Sequence, residues 1–346
     1  MGLAEESDLH QTFPAAESFP ARVSFRIQLS GVGMNSTLNQ TDSCSINSRV
    51  EQQIYPTLYS LFFIVGFPAN CLSLLIAWKL MLKGNNMAVY LVSLSVSDLL
   101  YTVTLPVWIG LALQWNISDA VCSGMYLIMY NSFYVGSGLL CCISVDRFLA
   151  LVYPLHFHWV REVKAAAAFS SLVWIVEILV HLPLLHHIGE LESFDFLCNQ
   201  DVPMTDRYAH VALVRLVLGF LFPVVLMTVC YLLIMRSLRQ SASILEEERR
   251  KVGLLLLFLL LTYILSFMPY QTVMFLRVVL EQRNCNWAQR FRDAYLVTVA
   301  TTTLNSTLDP IIYCLINESA KREIRKVVKK GRNSFIRKTK RIESLS

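Results

Sequence analysis

The stretch Leu139-Leu-Cys-Cys-Ile-Ser-Val-Asp146-Arg147-Phe148 decides the fold of this chain. It closes the third of seven long apolar runs and ends a hydrocarbon-like segment on an adjacent acid and base. A charged pair at the end of such a run is costly unless it sits at a water boundary or has a task. Asp146 and Arg147 therefore mark where a membrane span meets water, and the other runs are placed outward from that point.

The spans are expected at about 55–79, 87–113, 120–152, 165–186, 208–236, 252–280 and 291–315. Each matches the roughly 20 residues an α-helix needs to cross a bilayer. They are helices rather than barrel strands, because they are about twice the length of a membrane strand and lack strict alternation. Of the 346 residues, 55% are hydrophobic and only 16% charged, too little polar surface to cover a soluble core of that size. The sequence thus predicts an all-α membrane protein, a seven-transmembrane helix bundle spanning 51–316. An extracellular, disordered arm (1–50) precedes it. A short amphipathic eighth helix and a basic cytoplasmic tail (317–346) follow it.

Lys and Arg set the orientation. Eleven of them lie between Lys321 and Arg341, and Arg236, Arg239, Arg249, Arg250 and Lys251 join spans five and six. Short basic segments stay cytoplasmic, so an odd number of spans puts the N-terminus outside. The loop from His186 to Arg207 agrees, carrying Glu190, Glu192, Asp195, Asp201 and Asp206. Sequons at Asn35 and Asn39 fit a glycosylated outer arm. With no secretory signal ahead of residue 35, the first span is expected to act as signal anchor. Cys44, Cys122, Cys198 and Cys285 fall on the oxidising side, where two disulfides are expected. Three pairings are open, and Cys122–Cys198 with Cys44–Cys285 is the favoured one.

Several short motifs follow one another, one per span. They are Asn70 within Gly66-Phe-Pro-Ala-Asn70, Leu94-Ser-Val-Ser-Asp98, Cys122, Asp146-Arg147-Phe148, Trp174, Pro223, Phe267-Met-Pro269 and Asp309-Pro310-Ile-Ile-Tyr313. In this order the set resembles the rhodopsin-like (class A) G-protein-coupled receptors across residues 50 to 330. A narrower likeness rests on Asp98-Leu-Leu-Tyr101, Thr104-Leu-Pro106-Val-Trp108, Cys141-Cys-Ile-Ser-Val-Asp146-Arg147 and Asp309-Pro-Ile-Ile-Tyr-Cys314, together with Arg215, Arg277 and the cysteine pair 44/285. It is similar to the proton-sensing and lysolipid-linked branch. The resemblance implies a plasma-membrane receptor that couples an outside stimulus to a heterotrimeric G protein, with arrestin and a receptor kinase as further partners. It implies that Asp146 restrains Arg147 at rest and that Phe267, Pro269 and Tyr313 take part in the switch.

Asp98, Glu177 and Asp309 are carboxylates within spans, and each needs a partner, a cavity or a proton. One reading makes the three a proton sensor, with His181, His186, His187 and His210 as outer titrating groups. The other makes Asp98, Asn70, Asn305 and Asp309 a hydrated pocket able to hold sodium; no other cofactor is expected. The chain departs from the branch at Gln271, where those receptors usually carry histidine, and at Leu296, where some of them carry another. Arg215 and Arg277 offer a different chemistry. Guanidinium groups beside apolar walls suit a lysophospholipid, an oxidised fatty acid or a nucleotide, or else internal salt bridges, with Glu281 or Asp206 as partners. A transporter is disfavoured because internal repeats and broken helices are missing. An enzyme is disfavoured because no metal spacing, phosphate loop or nucleophile elbow is present. Nucleic acid is not an expected partner.

Overall fold

The computed structural model describes residues 49–153, 155–157, 159–187, 204–239, 246–281, 284–316, 320–326 and 329. All belong to one compact unit, residues 43–346. The N-terminal arm, with Asn35, Asn39 and Cys44, lies outside the described residues, as do Cys198 and most of the tail.

Seven long helices make up the bundle. They are α1 (Arg49–Met81), α2 (Asn86–Ala112), α3 (Asp119–Val152), α4 (Val163–His187), α5 (Asp206–Leu216, continued through Val217–Leu221 and Phe222–Arg239), α6 (Glu246–Leu280) and α7 (Cys285–Ile316). Residues 320–326 form a further helical segment, α8. No strand occurs among the described residues. The helices overrun the expected spans because an α-helix can continue past the hydrocarbon wherever its flanks stay helix-compatible. Thus α1 starts at Arg49, inside the stretch read as disordered arm, α6 starts at Glu246 and α7 at Cys285.

Six helices are apolar and long enough to cross a membrane. The exception, α7, is long enough at 32 residues but carries Thr302, Thr303, Asn305, Ser306, Thr307 and Asp309. All six of those side chains are buried, so the polar stripe faces the bundle and not the lipid. The whole bundle follows this inverted pattern. Ile64 and Leu265 are 68% and 69% exposed, whereas Asn70 and Asp98 are 0% and 4% exposed. Outward aliphatic residues and inward polar ones suit hydrocarbon as the solvent.

In packing order, α1 meets α2 and α7, α2 meets α3 and α4, α5 meets α6, and α6 meets α7. α3 touches α2, α4, α5 and α6 and so forms the central post. A left-handed turn at Gly84 (φ 81°) links α1 to α2. There Lys83 reaches Glu323 of α8 at 2.5 Å, and Lys326 adds a second contact at 3.1 Å. Lys83, then Lys326, holds the Glu323 carboxyl down to about 2.

In α5 the backbone passes through a π turn at Val217–Leu221. Such a turn inserts one residue and frees a carbonyl from the helical ladder. The Tyr263 hydroxyl of α6 donates to the Gly219 carbonyl at 2.7 Å. Gly219 also lets α5 close on α3: a Cβ there would stand 2.2 Å from a ring carbon of Tyr134.

Two outcomes test this packing. Gly219→Ala should destabilise the purified protein by about 1–3 kcal/mol, the usual range for overpacking; an unchanged thermal midpoint contradicts the close approach. Glu323→Gln should speed amide exchange across residues 320–326. A carboxyl with lowered pKa contributes above its unfolded pKa and stops contributing as pH falls through its folded one. For wild type, the protection of α8 amides relative to their intrinsic exchange rates should therefore hold at neutral pH and fall only as pH drops from about 4 towards about 2.

Candidate functional site

At mid-depth, α1, α2 and α7 bring Asn70, Asp98, Asn305 and Asp309 into one buried cluster. Asn70 Nδ2 donates to the carbonyls of Ser306 (2.8 Å) and Gly66 (3.1 Å), tying α1 to α7. Asn305 Nδ2 donates to Asp309 Oδ2 at 2.8 Å, one helical turn along α7. The Ser306 side chain hydrogen-bonds Asp98, and the two aspartates interact electrostatically. These bonds consume the donors and leave acceptors. Asn70 Oδ1, Asp98 Oδ2, Asn305 Oδ1 and Asp309 Oδ1 are all buried without a hydrogen-bond partner. Two carboxyls among surplus acceptors call for added positive charge, either protons or a cation with hard oxygen ligands. The residues present fit a sodium ion as well as they fit protons.

The third acid, Glu177, stands apart from this cluster. Its helix packs on α2 through Trp174 Nε1, which donates to Ser93 Oγ at 2.8 Å. Glu177 faces a separate cavity between α3, α4 and α5 together with Arg215. Of the histidines, His210 is exposed on α5. The side chains of His181, His186 and His187 lie outside the described residues. Gln271 and Leu296 are buried, at 4% and 0% exposure, so two inward positions carry groups that do not titrate.

The two arginines have unlike surroundings. Arg277 makes a two-pronged pair with Glu281, Nε to Oε2 at 2.5 Å and Nη2 to Oε1 at 2.8 Å. Its guanidinium also lies over the Tyr295 ring, 4.5 Å from the centroid. Glu281, 0% exposed, further accepts from the Met204 amide at 3.1 Å, so the pair clamps α6 to the start of α5. Arg215 rests over Tyr130 at 4.8 Å, but its Nε and Nη2 are buried without a hydrogen-bond partner. The internal salt bridge weighed from the sequence therefore describes Arg277 and not these nitrogens of Arg215.

The centre of the bundle is filled with aromatic rings. Phe133 packs edge-on against Phe267 (4.4 Å), which packs on Tyr263 (4.6 Å). Above them Tyr101, Tyr130, Tyr134 and Tyr270 line a small cavity of about 30 Å³. Near the C-terminal end of α3 Asp146 accepts from Arg147 Nε (2.9 Å) and Nη2, and from Asn86 Nδ2 (2.7 Å). Tyr313 is buried and Pro269 lies inside α6. Arg147 is thus paired with its neighbour in the chain. Cys122 and Cys285 are disulfide-bonded, while Cys71, Cys141, Cys142, Cys230 and Cys314 are free thiols.

Sequence reasoning passed over Asn86, which shares the restraint of Asp146. It also passed over the tyrosine face of α3. Tyr126, Tyr130 and Tyr134 recur every fourth residue, a spacing that puts them on one helix face and could have drawn attention.

With this geometry in hand, comparison with known proteins is direct. The profile of the family described as "7 transmembrane receptor (rhodopsin family)" matches residues 69–313. G-protein coupled receptor 68 of Bos taurus is 33% identical over 291 residues, which covers 83% of this chain and 80% of the relative. G-protein coupled receptor 65 of Homo sapiens is 32% identical over 315 residues, covering 86% of this chain and 94% of the relative. G-protein coupled receptor 183-A of Danio rerio is 29% identical over 315 residues, covering 86% and 85%. The one-motif-per-helix order, the bundle and these matches agree, and the chain belongs to the rhodopsin family of seven-transmembrane receptors.

Proposed function

We propose that this receptor sits in the plasma membrane with its N-terminus outside and converts extracellular acidity into G-protein activation. The observation that carries the reading is the pair Asp98 and Asp309, both buried, each with a carboxyl oxygen lacking any hydrogen-bond partner. Protons that reach this pair remove repulsion between α2 and α7 and let the helices settle into another packing. Glu177 adds a third proton acceptor on α4. Because Gln271 and Leu296 do not titrate, the acids carry the response and the outer histidines His181, His186, His187 and His210 modulate it. Sodium among Asp98, Asn70, Asn305 and Asp309 would compete with protons for the same surplus acceptors and favour the resting state.

The magnitudes require several groups. Moving a receptor from 1:99 to 99:1 takes about 5.5 kcal/mol of differential stabilisation. One group whose pKa differs by one unit between states supplies about 1.36 kcal/mol, so roughly four must act together. The shift is a change of population: protons need only bind the active packing better than the resting one. Pro269 gives α6 its bending point, since proline removes a ladder hydrogen bond. Repacking of Phe267 against Phe133 and Tyr263 accompanies the bend. Arg147 is then released from Asp146 to meet the G protein, and Tyr313 helps hold it there.

Two covalent links, Cys122–Cys198 and Cys44–Cys285, brace the outer face, and sugars on Asn35 and Asn39 extend from it. Receptor kinases would phosphorylate the tail at Ser334, Thr339, Ser344 and Ser346 and recruit arrestin. The same charges would weaken the tail's attraction to the anionic leaflet, about 1 kcal/mol per basic residue.

A second-messenger titration from about pH 8 to about pH 6, the window in which perturbed carboxyls and histidine change charge, tests the reading. Wild type should respond steeply as pH falls. Glu177→Gln should flatten the curve, and Asp98→Asn should flatten it further. A flat wild-type curve, or one unmoved by both variants, rejects the acids as sensors. Separately, Arg147→Ala should abolish output at every pH, while Asp146→Asn should raise basal output at about pH 8 by freeing Arg147. If Asp146→Asn leaves the basal level where it was, the restraint seen in the structure is not what keeps the receptor silent.

A further inference from the structure

Between α3, α4 and α5 lies a cavity of about 340 Å³, separate from the small one at the bundle centre. Its volume falls at the lower end of small-molecule sites. Val176 and Val180 of α4 and Leu218 and Phe222 of α5 line it, and all four are exposed on the outer surface of the bundle. In a membrane protein that surface is hydrocarbon, so the cavity has an apolar mouth open to the bilayer. Its inner end is polar, formed by Tyr134, Ser137, Glu177 and Arg215.

Arg215 is 7% exposed, and the two of its nitrogens that lack a partner are not met by Glu177 across the space. A guanidinium buried at membrane depth with unspent N–H groups is the arrangement that captures an oxyanion. The tyrosine ring beneath it stabilises the cation without supplying an acceptor fork. The apolar mouth adds the second requirement: the anion must arrive on a hydrocarbon chain, not free in water.

We infer that this cavity binds the anionic head of a single-chain lipid that enters from the bilayer between α4 and α5. Its phosphate or carboxylate rests on Arg215, and its chain leaves past Leu218 and Phe222. This goes beyond the proton reading and stands without it, since binding at Arg215 does not need Asp98 or Asp309. The two meet only at Glu177. An ionised Glu177 would repel the incoming head, whereas a protonated one would leave Arg215 as the sole charge in the cavity and could itself donate a hydrogen bond. The other groups that interact with Glu177 are Tyr134 and Cys141 of α3 and Tyr263 of α6. α2 meets α4 through the uncharged Ser93–Trp174 bond. Binding therefore tightens as pH falls, and by linkage the bound lipid makes Glu177 easier to protonate.

The test uses full-length receptor in nanodiscs of a zwitterionic phospholipid, with radiolabelled oleoyl lysophosphatidate as probe. Binding should be saturable and tighter at about pH 6 than at about pH 8. Unlabelled glycerol 3-phosphate, the head without the chain, should not displace the probe, nor should monooleoylglycerol, the chain without the charge. Arg215→Gln should weaken binding by at least ~10-fold, as expected for loss of a charge-assisted contact. Val176→Trp, which plugs the mouth from the lipid side and leaves both charges in place, should do the same and keeps the test decisive if the arginine variant does not fold. Glu177→Gln should erase the difference between the two pH values. Undiminished binding in Val176→Trp or in a folded Arg215→Gln overturns the site. Displacement by glycerol 3-phosphate overturns entry from the bilayer, and displacement by monooleoylglycerol overturns recognition of the anion. A pH difference that persists in Glu177→Gln overturns the coupling.

Discussion

Charge placed inside hydrocarbon must be matched, and this requirement organises the molecule. Among the described residues it is met at three points near the ends of the bundle. Arg277 is matched by Glu281 and a tyrosine ring, Asp146 by Arg147 and Asn86, and Glu323 by two lysines. These are the fixed points: a clamp at the outer rim, a latch at the inner mouth and a strap beneath. In the middle layers the requirement is met only in part. Asp98, Asp309 and Arg215 each keep polar atoms without partners. Buried polar groups are normally satisfied, so such exceptions mark places where something else is to be bound.

The packing of the bundle follows from how α3 stands among its neighbours. It carries the aromatic contact with α6, the close approach to α5 at Gly219 and the charged pair near its C-terminal end. A change at any of these points is felt along one rigid post, because packed cores switch between discrete arrangements and do not deform smoothly.

Much of this was legible before any coordinates. Run length gave seven helices, and the acids were singled out because hydrocarbon makes any carboxylate conspicuous. The helix ends were less legible, since Arg49, Glu246 and Cys285 continue their helices beyond the apolar runs and hydropathy carries no signal there. Nor could the sequence distinguish Arg215 from Arg277. Both lie in apolar surroundings near acids, and only Glu281, one turn from Arg277, decides the difference. The four-residue spacing was available for that pair, as it was for the tyrosines of α3, but spacing alone does not reveal which of two faces looks inward. The grouping of Glu177 with Arg215, away from the other two acids, depends on how three helices meet, and no local pattern encodes it.

The π turn in α5 has a consequence of its own. A single extra residue shifts the phase of everything on one side of it by about 100°, the rotation per residue of an α-helix. α5 is therefore two independently phased halves joined at Val217–Leu221. The outer half sets the azimuth of Arg215, and the inner half sets that of Met227, Cys230 and Ile234 against the rest of the core. A change that rotates the outer half therefore alters what Arg215 confronts without turning the inner half against its neighbours.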